Sequence, residues 1–409
     1  MHDDLITIAR FESGMEAHEA RIELDSRDIE CVIAGETATD SVLPGGLGAG
    51  SVELLVRASD VARAVEVLRH TPAGRDLDPD LGTGMDEDVS PWFLATPEQL
   101  EAKVREWGDL AGDRLFIDHL TSYSGDHVYA LTLSDFDVPR EQKHAHYFAQ
   151  PHAHEPGTTA GMMDVIEQLV TGKNLRGEPT SLDVDQVLAQ TLLTFNPIGN
   201  PQGRAAAPVL CWDGADYTND ELWCWMRGED PAMAGKMWQR LDLWDTREVT
   251  TPDPIGIVYE QIDEFRYVEP NRSHLSSYFK LFFQMDGMYA YECWLDLHQT
   301  EFVNSDRNCM MLLPIEGLAT GDILATDRAW GQAICNAWSA AGYRPAPQPE
   351  HLGYTGTQAN YFRRTWGPLH QRMNIVSTEV KNNAADAPAA FQLDAQGVAI
   401  TRSIERLLG

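Results

Sequence analysis

Pro151-His152-Ala153-His154-Glu155-Pro156-Gly157 is the stretch on which the reading of this 409-residue chain turns. It follows an apolar run, Tyr147-Phe148-Ala149, and precedes a helix-like run from Thr158 to Leu169. The pair His152 and Glu155 therefore falls in a turn at the end of a predicted strand. An imidazole nitrogen and a carboxylate three residues apart can grip one face of a metal ion and leave the other face open. Far downstream, Leu295-Asp296-Leu297-His298 ends a second strand-like run, Met288 to Trp294. Two histidines and one glutamate make a three-ligand set with room for water, the catalytic rather than the structural type of zinc site.

Working outward, segments with strand and helix patterns alternate to the end of the chain, which predicts an α/β domain with a mixed sheet over residues 91–409. Thr96-Pro97-Glu98-Gln99 reads as a helix start, with a Thr cap, Pro at the first position and Gln at the third. Phe116 to Thr121 and Val128 to Thr132 read as a hairpin. Helices are expected at Thr158 to Val170, Ser273 to Met285, Arg328 to Ala341 and Val398 to Leu408. Strands are expected at His146 to Gln150, Thr191 to Phe195, Ile255 to Glu260, Met288 to Leu297 and Met373 to Val380.

Residues 1–70 form a separate small domain with βαββα order. Leu5 to Phe11 alternates like a strand, Ser13 to Asp28 reads as a helix capped by Ser13, and Cys31 to Ala34 is a second strand. A glycine-rich loop, Pro44 to Gly50, leads to a third strand, Val52 to Val56, and Asp60 caps a helix through Leu68. The loop lacks the Lys-Ser/Thr ending of a phosphate-binding loop and is expected to be a simple connection. Residues 71–90, rich in Pro, Gly and Asp, are an acidic linker.

Bulk composition narrows the function classes. The formal net charge is −32, a surface that repels nucleic acid and anionic membranes. Solubility in high salt is the simpler explanation of that charge, and an acidic field that attracts basic substrates is the other. No apolar run is long enough to span a bilayer, and the start of the chain carries no signal-peptide pattern. The six cysteines include no C-x-x-C pair and are expected to be buried thiols in a reducing cytoplasm.

Four motifs in order carry a resemblance to a known family. They are His152-Ala153-His154-Glu155, Asn196-Pro197-Ile198-Gly199, Asp296-Leu297-His298 and Thr378-Glu379-Val380. Residues 96–409 resemble the carboxypeptidase A-like zinc carboxypeptidases, which implies a zinc carboxypeptidase-like α/β/α domain. The resemblance implies zinc held by His152, Glu155 and His298, and Glu379 as the catalytic carboxylate. It also implies a peptide or acyl-amino-acid substrate. A carboxylate at Glu379 could take the proton of water and deliver it to the leaving nitrogen. Asp296 could orient His298 or simply cap the strand end. The first domain, ferredoxin-like, resembles a small prokaryotic module described as signal-transducing. Its ligand or partner is not written in the sequence.

The chain also departs from that family. The Asn-Arg pair that recognises a substrate carboxylate is matched here by Asp242-Leu243-Trp244-Asp245, and a carboxylate cannot replace a guanidinium clamp. The reading is therefore a metallocarboxypeptidase acting on peptide C-termini, with a deacylase or amide/ester hydrolase, or a metal-binding regulatory protein, as alternatives. Arg204 is the candidate for stabilising an oxyanion, with Arg240 and Arg272 in reserve. Tyr354, in Gly353-Tyr354-Thr355-Gly356, is the substrate-facing candidate, with Tyr361 as its alternative. His144 and His146 offer a weaker alternative cluster with His152. The segment Cys211 to Asp245, rich in Trp, is read as a lid or satellite core, or as an aromatic wall that selects substrate.

Overall fold

The computed structural model describes residues 5–11, 14–27, 29–34, 52–57, 60–69, 89, 91–230, 237–303 and 305–408. The chain divides into two compact units, Met1–Asp88 and Val89–Gly409. The first contains β1 (Leu5–Phe11), α1 (Gly14–Asp25), β2 (Cys31–Ala34), β3 (Val52–Arg57) and α2 (Val61–Arg69). Its sheet has the order β1-β3-β2, with β3 antiparallel to both neighbours. Period-two alternation sends Val52, Leu54 and Val56 inward, where they meet Ile8, Leu24 and Leu68 in one core. The expected βαββα order is thus present. The Ser13 cap, the Pro44 to Gly50 loop and all of the 71–90 linker except Val89 lie outside the described residues.

The second unit begins with α3 (Pro97–Ala111), opened by the predicted capping box. Thr96 Oγ1 accepts from Gln99 N at 3.2 Å, and Gln99 Oε1 accepts from Thr96 N at 3.0 Å. The hairpin β4 (Leu115–Thr121) and β5 (His127–Leu133) turns through Gly125 at φ +94°. Then come β6 (His144–Ala149), α4 (Pro156–Thr171), α5 (Val184–Gln190), β7 (Thr191–Asn196), α6 (Pro201–Ala205) and α7 (Asn219–Arg227). A small sheet holds β8 (Trp244–Asp245), β9 (Glu260–Gln261) and β10 (Arg266–Val268). The chain continues through α8 (Ser277–Tyr289), β11 (Cys293–Asp296), β12 (Gln299–Thr300), β13 (Cys309–Leu313), α9 (Gly321–Ala340) and β14 (Glu350–His351). It ends with α10 (Gly356–His370), β15 (Asn374–Lys381) and α11 (Ala389–Glu405).

The main sheet is mixed, in the order β14-β13-β15-β11-β6-β7-β5-β4, with β12 paired to β15. Its centre, β15-β11-β6-β7, is parallel. Both faces are covered, so these strands read as nearly continuous apolar runs. Phe148 enters one core with Met162, Trp330 and Ile400, while its neighbours Tyr147 and Ala149 enter the other with Phe282, Trp294 and Trp366. Truncating a fully buried aromatic such as Trp294 would cost about 3–5 kcal/mol. Among the described residues no helix is long and apolar enough to cross a membrane.

Three local expectations are corrected. The strand expected from Met288 to Leu297 is shorter: α8 runs through Tyr289 and stops at Ala290, φ +51°, and β11 starts at Cys293. The helix expected from Ser273 starts later, at Ser277, with Ser276 as its cap accepting from Phe279 N at 3.3 Å. The segment Ile255 to Glu260 is mostly an irregular buried connection, whose Ile257 and Val258 amides donate to Trp225 O and Met226 O in the end of α7. Helix α10 was not anticipated, because Gly356, Gly367 and Pro368 all disfavour helix. Burial of Phe362, Trp366 and Leu369 on one face sustains it.

Candidate functional site

The two halves of the His-Glu-His set leave the same edge of the sheet. β6 and β11 are adjacent and parallel, with Ala149 in register with Asp296, and the loops after both carry the ligating residues. Crevices beyond the carboxyl ends of parallel strands are where such sheets place their sites. Leu297 N donates to Ala149 O at 2.8 Å, and His298 N to Thr378 Oγ1 at 3.1 Å, so His298 is pinned between β6 and β15. Gln299 Oε1 accepts from Gly157 N at 2.7 Å, which ties the residue after His298 to the first turn of α4. Gly157 must be glycine here, since a Cβ would stand 2.7 Å from Gln299 Nε2 and 2.8 Å from Gln392 Cβ.

The Asn196-Pro197-Ile198-Gly199 turn braces the other half. Pro197 O accepts from Gln150 Nε2 at 3.0 Å and from Thr159 Oγ1 at 2.7 Å, and Gly199 N donates to Gln150 O at 3.0 Å. These bonds set the path of Gln150-Pro151 into His152. A Cβ at Gly199 would lie 2.5 Å from Gln150 O.

The structure brings His152, Glu155 and His298 together, all buried. His152 Nδ1 lies 2.8 Å from Glu155 Oε1, His298 Nδ1 lies 3.2 Å from Glu155 Oε2, and the two Nδ1 atoms are 3.2 Å apart. Three donors on a tetrahedral cation with bonds of about 2.0–2.1 Å stand about 3.3 Å apart. The remaining ring nitrogens face carboxylates: His298 Nε2 is 2.8 Å from Asp296 Oδ2, and His152 Nε2 is 3.6 Å from Glu269 Oε1. A carboxylate on one ring nitrogen fixes the tautomer that leaves the other lone pair free for a metal. Tyr278 OH donates to Asp296 Oδ1, so the aspartate is itself held. The donor set therefore fits a divalent metal.

The same groups act strongly on one another's protons. Burial would raise Glu155, but His152 and His298 hold it well below the usual carboxylate range. Burial would lower His298, but Asp296 and Glu155 hold it well above the usual imidazole range. His154 sits 3.4 Å from Glu155 through Nε2, yet burial pushes it down to about 3. His144 is exposed and pairs with Glu292, and His146 is sealed between Phe148 and Trp330, so neither joins the cluster.

Glu379, on β15, lines the same cavity, as does Ser377 two residues earlier on the same strand face. Its Oε2 has no hydrogen-bond partner among the described residues, and burial together with Glu155 and Glu301 raises it well above the usual carboxylate range, with His298 opposing. Tyr354 also lines the cavity, and its hydroxyl accepts from Arg272 Nη2 at 3.0 Å. Arg204 does not. It donates to Ala153 O at 3.0 Å and to Val209 O, so it is a buried tie across the His152–Glu155 turn. Two other arginines line the cavity instead, Arg227 on α7 and Arg272. Arg240 pairs with Asp242, which also accepts from Tyr361, and none of the three lines the cavity.

The missing Asn-Arg pair is also corrected. Asp242 to Asp245 lie away from the cavity, with Trp244 packed among Trp238, Tyr259 and Tyr267 in a satellite core. Asn271 and Arg272 line the cavity instead. Glu269, two residues before Asn271, is fully buried and held well below the usual carboxylate range: burial opposes, but Arg227, His152 and Arg272 prevail. Arg227 Nη1 approaches it at 2.9 Å, and Arg272 Nε at 3.8 Å. The adjacent pair Asn271-Arg272 was visible in the sequence. The short gap to His298 kept it out of the sequence reading. The Trp-rich segment is divided: Trp212 and Trp244 are core, while Trp223 lines the cavity and donates to Glu301 Oε2 at 3.2 Å.

Comparison with known proteins follows this division. Residues 5–71 match the family model described as "Putative prokaryotic signal transducing protein". A search of curated protein sequences found no match. Among solved structures, carboxypeptidase A from Helicoverpa armigera aligns at TM-score 0.51 and 10% identity, over 100% of this chain and 98% of that one. A metallo-carboxypeptidase from Burkholderia cenocepacia aligns at TM-score 0.45 and 12% identity, over 93% of this chain and 81% of that one. One from Pseudomonas aeruginosa aligns at TM-score 0.45 and 15% identity, over 76% and 69%. At such identities the insect enzyme speaks for the fold alone. The chain has a fold similar to that of the zinc metallocarboxypeptidases, with a start that resembles the prokaryotic signal-transducing module.

Proposed function

We propose that this protein is a zinc-dependent metallocarboxypeptidase that removes the terminal residue from peptide C-termini. One observation carries the reading: Asn271, Arg272 and Tyr354 line the same cavity as the His152–Glu155–His298 set and Glu379. A cationic, hydrogen-bonding clamp beside a metal and a carboxylate is what cleavage next to a free carboxylate needs. The two imidazoles and one carboxylate suit zinc, which supplies Lewis acidity toward water and toward an acyl oxygen.

The chain's own residues supply the rest. Arg272, with Asn271, holds the substrate carboxylate and so fixes which peptide bond lies at the metal. Tyr354 closes against that carboxylate from the loop before α10. Glu379 takes the proton of the attacking water and passes it to the leaving amine. It ionises more readily beside a divalent charge than its burial alone allows. Arg227, tethered by Glu269, faces the negative charge that develops on the acyl oxygen. The deacylase alternative drew on the missing clamp, and Asn271-Arg272 removes that support.

The test is mass spectrometry of a mixed peptide and N-acyl amino acid library incubated with the zinc-loaded protein, with and without a chelator. Chelator-sensitive loss of single C-terminal residues is expected. Loss of acyl groups with intact C-termini would refute the proposal.

A further inference from the structure

A peptide anchored by its carboxylate at Arg272 runs past the metal set, so the residue before the scissile bond meets the part of the cavity away from the clamp. Helix α7 supplies one wall of both parts. Trp223 and Arg227 stand one turn apart on it, about 6 Å along the axis, and both line the cavity. Arg227 Nη1 reaches Glu269 at 2.9 Å, beside the clamp. Trp223 Nε1, a turn earlier, donates to Glu301 Oε2 at 3.2 Å. Glu301 follows His298 by three residues and lines the cavity too. Its charge and those of Glu155 and Glu379 act on one another, so it stands near the metal set.

Glu301 is 7% exposed, and the side chain that bonds it is a neutral indole. The cation that acts on it, Arg227, is committed to Glu269 at 2.9 and 3.4 Å. Burial and the nearby Glu155 raise Glu301 above the usual carboxylate range, against the Trp223 hydrogen bond and the charge of Arg227. A buried carboxylate with no cation beside it is costly. The cavity as a whole is short of positive charge. Glu155, Glu269, Asp296, Glu301 and Glu379 line it against Arg227 and Arg272. A divalent metal offsets only two of the remaining negative charges, and the substrate carboxylate adds another.

We propose that Glu301 selects substrates that carry a positive charge on the residue before the scissile bond, the cation lying between the Glu301 carboxylate and a wall made by Trp223 and Met226. This rests on the carboxypeptidase reading above. Trp223 and Met226 line the cavity and suit the methylene stem of a lysine or arginine side chain. The free α-amine of a dipeptide offers the same charge without a stem. An acidic residue at that place would meet Glu301 with like charge. The formal net charge of −32 draws cationic peptides toward the protein in the first place.

The zinc-loaded protein is tested on acetyl-Ala-X-Leu, where X is Lys, norleucine or Glu, and on Ala-Leu with its amine free or acetylated. kcat/KM for the cationic member of a pair is expected to exceed that for the neutral one at least about tenfold, because a hydrogen bond to a charged partner is worth more than a neutral one. Preference for Lys over norleucine assigns the cation to the side chain, and preference for the free over the acetylated dipeptide assigns it to the α-amine. Glu301→Gln keeps an acceptor for Trp223 and loses the charge, and in it the preference should fall to about one. If that variant folds and keeps the preference, the charge is read elsewhere and the proposal is wrong. If neutral or acidic members match the cationic ones in wild type while all are shortened, the proposal is wrong and the carboxypeptidase reading stands. If no peptide is shortened, the carboxypeptidase reading fails and this inference with it. Should Glu301→Gln not fold, the wild-type ratios still decide.

Discussion

Removal of the Arg272 charge is the sharpest probe of the proposed clamp. Arg272→Met keeps the length and apolar packing of the side chain and deletes the guanidinium. Arg272 is 6% exposed and contacts Tyr354 OH at 3.0 Å and Glu269 at 3.8 Å. Glu269 keeps Arg227 at 2.9 and 3.4 Å, so the substitution does not strand a buried carboxylate. A guanidinium and a carboxylate about 4 Å apart at an effective dielectric near 20 attract by about 4 kcal/mol, before desolvation is subtracted. A net loss of about 2–4 kcal/mol corresponds to roughly 30- to 1000-fold in kcat/KM. The assay compares a peptide acid with its C-terminal amide on wild type and variant. Wild type should favour the acid by that factor, and the variant should treat the two nearly alike. Equal cleavage of acid and amide by the wild type, or undiminished preference in a folded Arg272→Met, would refute the clamp.

Glu379→Gln should lower kcat by about 10²–10⁴ while zinc content by elemental analysis stays near one per chain, since Glu379 is outside the ligand set. Asp296→Asn replaces the acceptor facing His298 Nε2 at 2.8 Å and should weaken zinc about 10–100-fold in a chelator competition. Asp327, raised by burial to about 7, gives a pH signature in folding. The folded state keeps this proton between about pH 4 and 7 while the unfolded chain releases it, so stability falls as pH rises through that window. The total is about 4 kcal/mol, and urea unfolding of Asp327→Asn should show that part of the slope flattened.

Much of the fold was legible because its signals are local. The Thr96 cap, the β4–β5 hairpin and the apolar runs of β6, β7 and β15 are decided by residues within a few positions of one another. The three ligand candidates were readable for a similar reason: each stands just after an apolar run that ends a strand. Helix α10 escaped because its own residues disfavour helix and burial against elements distant in sequence sustains it, as in the Trp294–Trp366 ring pair at 4.9 Å. Arg204 misled because an arginine near a motif looks the same whether it ties three carbonyls or faces a substrate. Its carbonyl acceptors, Ala153, Val209 and Leu210, become neighbours only when the chain folds.

The stretch from Pro151 to Gly157 by itself determined that a histidine and a glutamate would share a turn at a strand end, because three residues of chain cannot separate them far. It could not determine what faces them. The parallel pairing of β6 with β11 brings His298 from 146 residues away. The packing of α10 and the Glu269–Arg272 segment sets Asn271, Arg272 and His370 around the same cavity. Ligand spacing is a property of covalent geometry, whereas the cavity walls come from side-chain burial between elements distant in sequence. That is why the candidate metal set could be read along the chain and the proposed clamp only across the fold.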